Sequence, residues 1–223
     1  RDLHSFPTRR SSDLHIDCLR QKNFWVIALA GLTISAVDAA FFQHQVLMLR
    51  DLSFSPAAVI SVLSVMGLIS VGARLVAGNI LDSSSNRGLA GLYMTLLVTC
   101  AAAPFLGVPI VLAIFVLFRA VGQAAVLLDI AVMTKHAFGN TKNLGMLFGF
   151  MSVFSQIGLA AGPWLMGRIF DATGSYDLAY AIFACLCVAA ALLAWNIKPR
   201  YWLEINRKVA YMEIGRASCR ERV

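Results

Sequence analysis

Six windows of about 20 mainly apolar residues, separated by short polar segments, dominate this sequence. A helix needs about 20 such residues to cross the hydrocarbon core of a bilayer, so each window predicts one spanning helix. Composition agrees, because only 14% of the 223 residues are charged, against about 25% in soluble domains. The predicted spans cover residues 23–49, 56–81, 88–106, 109–134, 144–170 and 176–197. We therefore expect an all-α membrane protein, with a turn at residues 83–86 (SSSN) between the second and third spans.

The two ends of the chain are related to each other through the genetic code. Residues 4–14 (HSFPTRRSSDL) and residues 213–223 (EIGRASCRERV) can be translations of complementary DNA strands, with His4 opposite Val223 and Leu14 opposite Glu213. They resemble translated sequencing-adapter DNA, so residues 1–14 and 213–223 are set aside as artificial segments. The native part is then expected to hold a flank at 15–22, the helical bundle at 23–197 and a tail at 198–212.

The basic residues are distributed asymmetrically about the predicted spans. The formal net charge of +7 includes no basic stripe interleaved with aromatic residues, so a nucleic-acid partner is not expected. Short cytoplasmic loops of membrane proteins carry an excess of Lys and Arg, which predicts an inner-membrane protein with both native ends in the cytoplasm. One side holds Arg20, Lys22, Arg87, Lys135, Lys142, Lys198, Arg200, Arg207 and Lys208, and the other holds Arg50 and Arg168.

A glycine and proline pattern occupies the fifth predicted span. Gly158, Gly162 and Gly167 are spaced four and five residues apart, Pro163 follows Gly162 directly, and residues 168–176 (RIFDATGSY) form the next connection. The glycine spacing alone is explained by close helix packing. The complete pattern resembles the penultimate helical hairpin of the major facilitator superfamily.

The connection between the second and third spans resembles the weaker, second copy of that family's cytoplasmic loop motif. Gly78, Asp82 and Arg87 match the motif, whereas serines stand at 83 and 85, where the family has a basic residue and a glycine. Arg74 lies two turns before Asp82, so the two could form a charge latch, and Gly78 could allow close helix approach. A gating and structural role is expected here rather than a substrate site.

The resemblance covers nearly all of residues 23–197 and extends to the first span. Residues 41–45 (FFQHQ), with 49–51 (LRD) and 55–58 (SPAA), resemble the seventh helix and following loop of bacterial members related to monocarboxylate and organic-anion porters. The resemblance implies that the chain is the C-terminal six-helix half of a twelve-helix transporter, built from 3+3 inverted repeats. Its partners would be the lipid bilayer, a small solute and the missing N-terminal half.

Two ionisable residues fall in the middle of predicted spans, where a charge is costly and marks a functional candidate. Asp38 lies about 22 Å along the first span and Arg119 about 15 Å along the fourth, against a bilayer core about 30 Å thick. The two side chains can therefore meet in one plane. The resemblance would place both spans on the central cavity.

We expect Arg119 to bind an anion or to gate, because its planar fork can hold a carboxylate at two points. Asp38 would be its switchable counter-ion and could take up a proton when substrate occupies the arginine. A static pair between two helices is the alternative. Gln123 and Gln45 lie on the two cavity walls, and His44 is either a gate or proton relay or an interfacial histidine. Asp129 is expected to be structural, near the cytoplasmic headgroups.

Secondary active transport of a small solute, most plausibly an organic anion, is the function that these features favour. Proton coupling is consistent with a pair formed by Asp38 and Arg119. The alternatives are a drug or metabolite exporter of the same superfamily and a non-transporting fragment. A membrane-embedded enzyme is disfavoured, because no Ser/His/Asp arrangement, P-loop, dinucleotide fingerprint or H-E-x-x-H motif occurs. No cofactor or metal is expected, since Cys100, Cys185 and Cys187 lack metal-site spacing.

Overall fold

The computed structural model describes residues 22–138 and 144–197, with the side chains of residues 82–86 and 136 left out. This part of the chain is almost entirely helical and contains no strand. A single 3-10 turn, Ala103–Phe105, follows the second helix. The helices are α1 (Lys22–Asp51), α2 (Pro56–Ala102), α3 (Pro109–Phe138), α4 (Leu144–Thr173) and α5 (Asp177–Trp195).

Six segments of these helices are long and apolar enough to cross a membrane, which confirms the predicted all-α membrane fold. We number them as spans 1 to 6 in chain order. Spans 1 and 5 coincide with α1 and α4, and span 6 coincides with α5. Their bounds are Lys22–Asp51, Pro56–Leu81, Arg87–Phe105, Pro109–Lys135, Leu144–Thr173 and Asp177–Trp195.

Span 2 and all of span 3 except its final 3-10 turn belong to α2. Residues 83–86 separate the two spans as predicted, but their backbone is helical, because a run of serines without Gly or Pro does not by itself end a helix. The segment is not straight. Leu68 and Leu92 line one cavity of about 260 Å³, whereas a straight helix would hold them about 36 Å apart. Spans 2 and 3 therefore fold back towards each other.

Ser55 and Pro56 define where α2 begins. The Ser55 hydroxyl accepts a hydrogen bond from the Ala58 backbone N–H at 3.3 Å, and Pro56 occupies the first turn. Proline is favoured there because its missing N–H would have no helical partner, and serine satisfies one of the free donors. The sequence thus fixes the start of span 2 locally.

Span 1 is the most buried of the six spans, and it packs closely against span 5. A Cβ atom on Gly158 would overlap the backbone carbonyl of Leu32, and one on Gly162 would overlap the carbonyl of Ala36. The two backbones can approach this closely only because neither glycine has a side chain. The pattern singled out in span 5 thereby sets the distance between spans 1 and 5.

The glycine expected to allow close approach in span 2 does not do so. A Cβ atom on Gly78 would meet no atom of the described residues within 4 Å. Spacing within a motif cannot show whether a neighbouring helix comes near, and here the described part of the chain leaves open space beside Gly78. The expectation of a tight contact at Gly78 is therefore wrong for this structure.

We predict that Gly162→Ala destabilises the chain, because the added methyl group overlaps the span 1 backbone and overpacking of this kind costs about 1–3 kcal/mol. Gly149→Ala is the matched control in the same helix, since a Cβ there meets open space and alanine is the better helix former by about 1 kcal/mol. Thermal unfolding in detergent should show a lower midpoint for Gly162→Ala and an unchanged or higher one for Gly149→Ala. Equal midpoints would contradict the close packing of spans 1 and 5.

Candidate functional site

Asp38 and Arg119 meet between spans 1 and 4 and form an ion pair. One terminal nitrogen of Arg119 donates to Asp38 Oδ1 at 2.6 Å. The other donates to the Asp38 backbone carbonyl at 3.0 Å. The guanidinium therefore holds both the side chain and the main chain of one residue on span 1.

The pair is deeply buried but not fully satisfied. Arg119 has no exposed surface, and the Asp38 side chain is 12% exposed. Among the described residues, the Nε–H of Arg119 has no hydrogen-bond partner, although a guanidinium presents five donors. A buried charged group with a free donor has the capacity to bind a further acceptor, and a buried unpaired donor is costly.

An aromatic cluster packs about one helical turn from both charges. Phe41 follows Asp38 by three residues and stacks on Tyr180 of span 6 with a centroid distance of 5.9 Å. Phe115 precedes Arg119 by four residues and lies 6.3 Å from Phe41. Such rings exclude water and lower the local dielectric, which strengthens the ion pair. Spans 1, 4 and 6 thus enclose the pair on one side.

The two predicted glutamines lie on the same helices as the ion pair. Gln45 is buried, two turns from Asp38, and its Oε1 atom has no hydrogen-bond partner. Gln123 is half-buried, one turn from Arg119. The structure therefore leaves one amide oxygen unsatisfied near the predicted site and places the other amide close to Arg119.

His44 joins span 1 to span 5 and to the connection before span 6. Its Nε2 atom lies 3.2 Å from the Pro163 carbonyl oxygen, which can only accept, so Nε2 carries the hydrogen. Nδ1 then accepts from the Tyr176 hydroxyl at 3.2 Å. A Cβ atom on Gly167 would lie in ordinary contact with this ring. These contacts tie span 1 to span 5 and to the connection before span 6, and both expectations for His44 stay predictions.

Tyr176 lies outside the spans and keeps its hydroxyl proton. Burial raises the pKa of this hydroxyl above its ordinary value, and the charges of Asp51 and Asp171 raise it further. The ring also stacks on Phe170 at 4.4 Å. Tyr176 therefore keeps the hydroxyl proton that it can donate to His44.

The structure describes only some of the side chains in the predicted loop motif. Arg74 is exposed, and the Asp82 side chain lies outside the described residues, so the predicted latch between them stays a prediction. Arg87 lies with its guanidinium 5.5 Å from the centre of the Trp195 ring. This cation–π contact joins the start of span 3 to the end of span 6.

Asp129 is the residue that sequence reasoning misplaced. Its position about 30 Å along span 4 predicted contact with the headgroups, but the residue is only 2% exposed. Span 4 lies in a helix that continues to Phe138, so Asp129 does not lie at a helix end, and neighbouring spans cover it. Tyr93 of span 3 donates to its carboxylate at 2.6 Å. The sequence feature that could have indicated this burial is the presence of a tyrosine and an aspartate in adjacent spans.

The chain matches the sequence model of a known protein family. The sequence model of the Major Facilitator Superfamily matches residues 23–209, which is most of the chain. No curated protein matches the chain. The family match covers all six spans.

We predict that Asp38 and Arg119 are strongly coupled in stability. Removing one partner of a buried pair leaves an uncompensated charge and costs about 3–5 kcal/mol, so Asp38→Asn and Arg119→Gln should each destabilise the chain. The double variant should lose less than the sum of the two, as measured by unfolding in mixed micelles.

Arg50→Gln and Asp51→Asn form the matched control cycle, because both residues are exposed neighbours at the end of span 1. Each change should stay within about 0.5 kcal/mol and the two should add. Additive effects at Asp38 and Arg119 as well would show that the buried pair is not an energetic unit.

Proposed function

The chain belongs to the Major Facilitator Superfamily, a family of secondary transporters that are in general not enzymes, and on that premise we propose that it moves a small organic anion across the inner membrane. Transport would proceed by alternating access between this six-helix unit and a second one. The observation that carries the proposal is the buried Arg119 near the middle of span 4, held by a single carboxylate oxygen and with its Nε–H unpartnered.

Arg119 suits a carboxylate substrate because of its shape and its permanent charge. A guanidinium binds a carboxylate best through two parallel hydrogen bonds, whereas Asp38 offers it one side-chain oxygen and one main-chain oxygen. A substrate carboxylate could therefore replace the Asp38 side chain with a better geometry. Asp38 is the partly exposed member of the pair, so it is the one that can move away.

Proton coupling follows as a proposal from the same exchange. Once a substrate occupies Arg119, Asp38 would be a carboxylate in a low-dielectric site without its cation, and such a group favours its neutral form. The pair would then carry one anion and one proton together. The static alternative, in which the pair only joins spans 1 and 4, predicts no dependence of transport on either residue beyond folding.

The surface of spans 2 and 5 supports the presence of a second six-helix half. These are the least buried of the six spans, and Gln156 exposes an amide about 18 Å along span 5, near mid-depth. Lipid cannot satisfy an amide at this depth, whereas protein or a water-filled pathway can. We propose that the missing half covers this face and that both native ends of the present chain lie in the cytoplasm.

An exporter of apolar compounds is the second candidate, and a specific cavity favours it. A groove of about 370 Å³ lies between spans 2 and 4 and is lined by Ser61, Val62, Val65, Ile69, Pro109, Leu112, Ala113 and Val116. Ser61 is its single hydroxyl, and that group already donates to the Ala57 carbonyl. An apolar drug would fit this lining better than an anion would.

Substitution of Arg119 by lysine separates the two candidates. In the complete protein encoded by the parent gene, uptake of radiolabelled acetate, lactate and benzoate into vesicles should fall at least tenfold in Arg119→Lys, because lysine cannot form the two-point contact. Arg50→Lys is the matched control at an exposed position and should retain uptake. Retained anion uptake in Arg119→Lys, or export of ethidium that is unaffected by this change, would contradict the organic-anion proposal.

The parent gene itself tests the two-half architecture. Amplification outward from the codons of Asn23 and Ile197 should recover upstream sequence for six further spans with a strong G-x-x-x-D-R cytoplasmic loop. A start codon immediately before His15 would instead contradict the missing half and indicate a self-associating six-helix protein.

A further inference from the structure

Asp129 and Tyr93 form a second buried polar site, which the proposed exchange at Asp38 and Arg119 does not use. The Tyr93 hydroxyl donates to Asp129 Oδ2 at 2.6 Å, and the Ile130 backbone N–H donates to Oδ1. Both side chains are almost fully buried, with Tyr93 at 1% and Asp129 at 2% exposure. The site lies between spans 3 and 4 and faces span 1 through Ala30 and Gly31.

The partners of Asp129 can form hydrogen bonds with its carboxyl group in either protonation state. A phenol is both a donor and an acceptor, so Tyr93 can donate to the carboxylate and can accept from the carboxylic acid. The Ile130 N–H can donate to Oδ1 in both states. Uptake of a proton therefore reverses the hydrogen bond with Tyr93, which frees the hydroxyl hydrogen of Tyr93, and keeps the hydrogen bond from the Ile130 N–H.

Asp38 has the opposite environment. Its carboxylate is held by the permanent charge of Arg119, and a proton there would break an ion pair. Among the residues whose side chains the structure describes, no Lys, Arg or His forms an ion pair with Asp129. A buried carboxylate without a cation is costly, whereas a buried carboxylic acid with hydrogen-bond partners is not.

The space beside Asp129 favours a proton over a metal cation. The adjoining void is lined mainly by apolar side chains, among them Ile27, Leu89 and Met133, and has no room for a water-sized sphere. A sodium ion needs several oxygen ligands and room for itself, but the described residues give the void only the Asp129 carboxyl and the Tyr93 hydroxyl as polar side-chain groups. A proton needs no volume.

The two carboxyl groups are electrostatically linked across spans 1 and 4. The charge of Asp38 acts on Asp129, and the other titratable group that faces Asp129 in the described residues is Tyr93. Span 5 contributes the Ser155 hydroxyl next to Gly31 and Ile130. Among the described residues, the ionisable side chains that act on Asp129 are therefore those of Tyr93 and Asp38.

We propose that Asp129, hydrogen-bonded to Tyr93, is a further proton-binding site of this transporter, and that Asp38 keeps its negative charge for as long as it is paired with Arg119. This inference rests on the proposed anion transport for its biological role. The occupancy of the site by a proton can be measured on the chain without any substrate.

Infrared difference spectroscopy of the purified chain in lipid tests the proposal. A protonated carboxyl has a carbonyl band that is separate from those of carboxylates and amides and that shifts in D₂O. We expect one such band that changes with pH between mildly acidic and mildly alkaline conditions and is lost in Asp129→Asn. Asp51→Asn is the matched control at an exposed position, and it should leave that band in place.

Tyr93→Phe is a second variant that keeps the proposal testable if Asp129→Asn fails to fold. It removes one hydroxyl and should keep the pH-dependent band but move its frequency, because the carboxyl loses the phenol partner. The proposal is overturned if no carboxylic-acid band depends on Asp129, if the band does not change with pH, or if it disappears in Asp51→Asn instead. Loss of anion uptake by itself would bear on the transport proposal and not on this band, so the two failures are distinguishable.

Discussion

Placing an arginine near the middle of a membrane-spanning helix is the constraint on which the arrangement of this protein depends. Burial of an isolated guanidinium in hydrocarbon is costly, so the rest of the bundle must supply its partners. Asp38 does so with its carboxylate and its own carbonyl, and the rings of Phe41 and Phe115 exclude water from one side. Spans 1 and 4 are thereby held in one register. The same pair that satisfies the charge leaves Arg119 one free donor, which makes it a candidate anion site.

Close packing of backbones determines where span 1 can lie. Gly158 and Gly162 bring span 5 against the carbonyls of Leu32 and Ala36, just before Asp38 in the sequence. His44 then ties the C-terminal half of span 1 to Pro163 and Tyr176. Membrane helices gain little from apolar burial against each other, so small residues and a few hydrogen bonds fix their positions. Movement of span 1 relative to span 5 would have to change both sets of contacts.

The two buried aspartates have identical side chains but different surroundings. Asp38 faces a permanent cation, whereas Asp129 faces a phenol and a backbone N–H. Opposite charge stabilises the carboxylate, and a partner that can donate or accept tolerates the acid. Arg119, which pairs with Asp38, and Asp129 lie on one helix, span 4, about 15 Å apart along its axis.

The sequence alone determined the number of spans, the fold class and the family, because apolar length is a local property of the chain and the glycine and proline motif is contiguous. It also predicted that Asp38 and Arg119 could meet, since depth follows from the helical rise. Tertiary structure decided what covers each side chain. Asp129 became buried because spans 1 and 3 pack over it, Gly78 has no close neighbour among the described residues, and residues 83–86 stayed helical. These outcomes depend on which helices pack together, and a count along one helix contains no information about its neighbours.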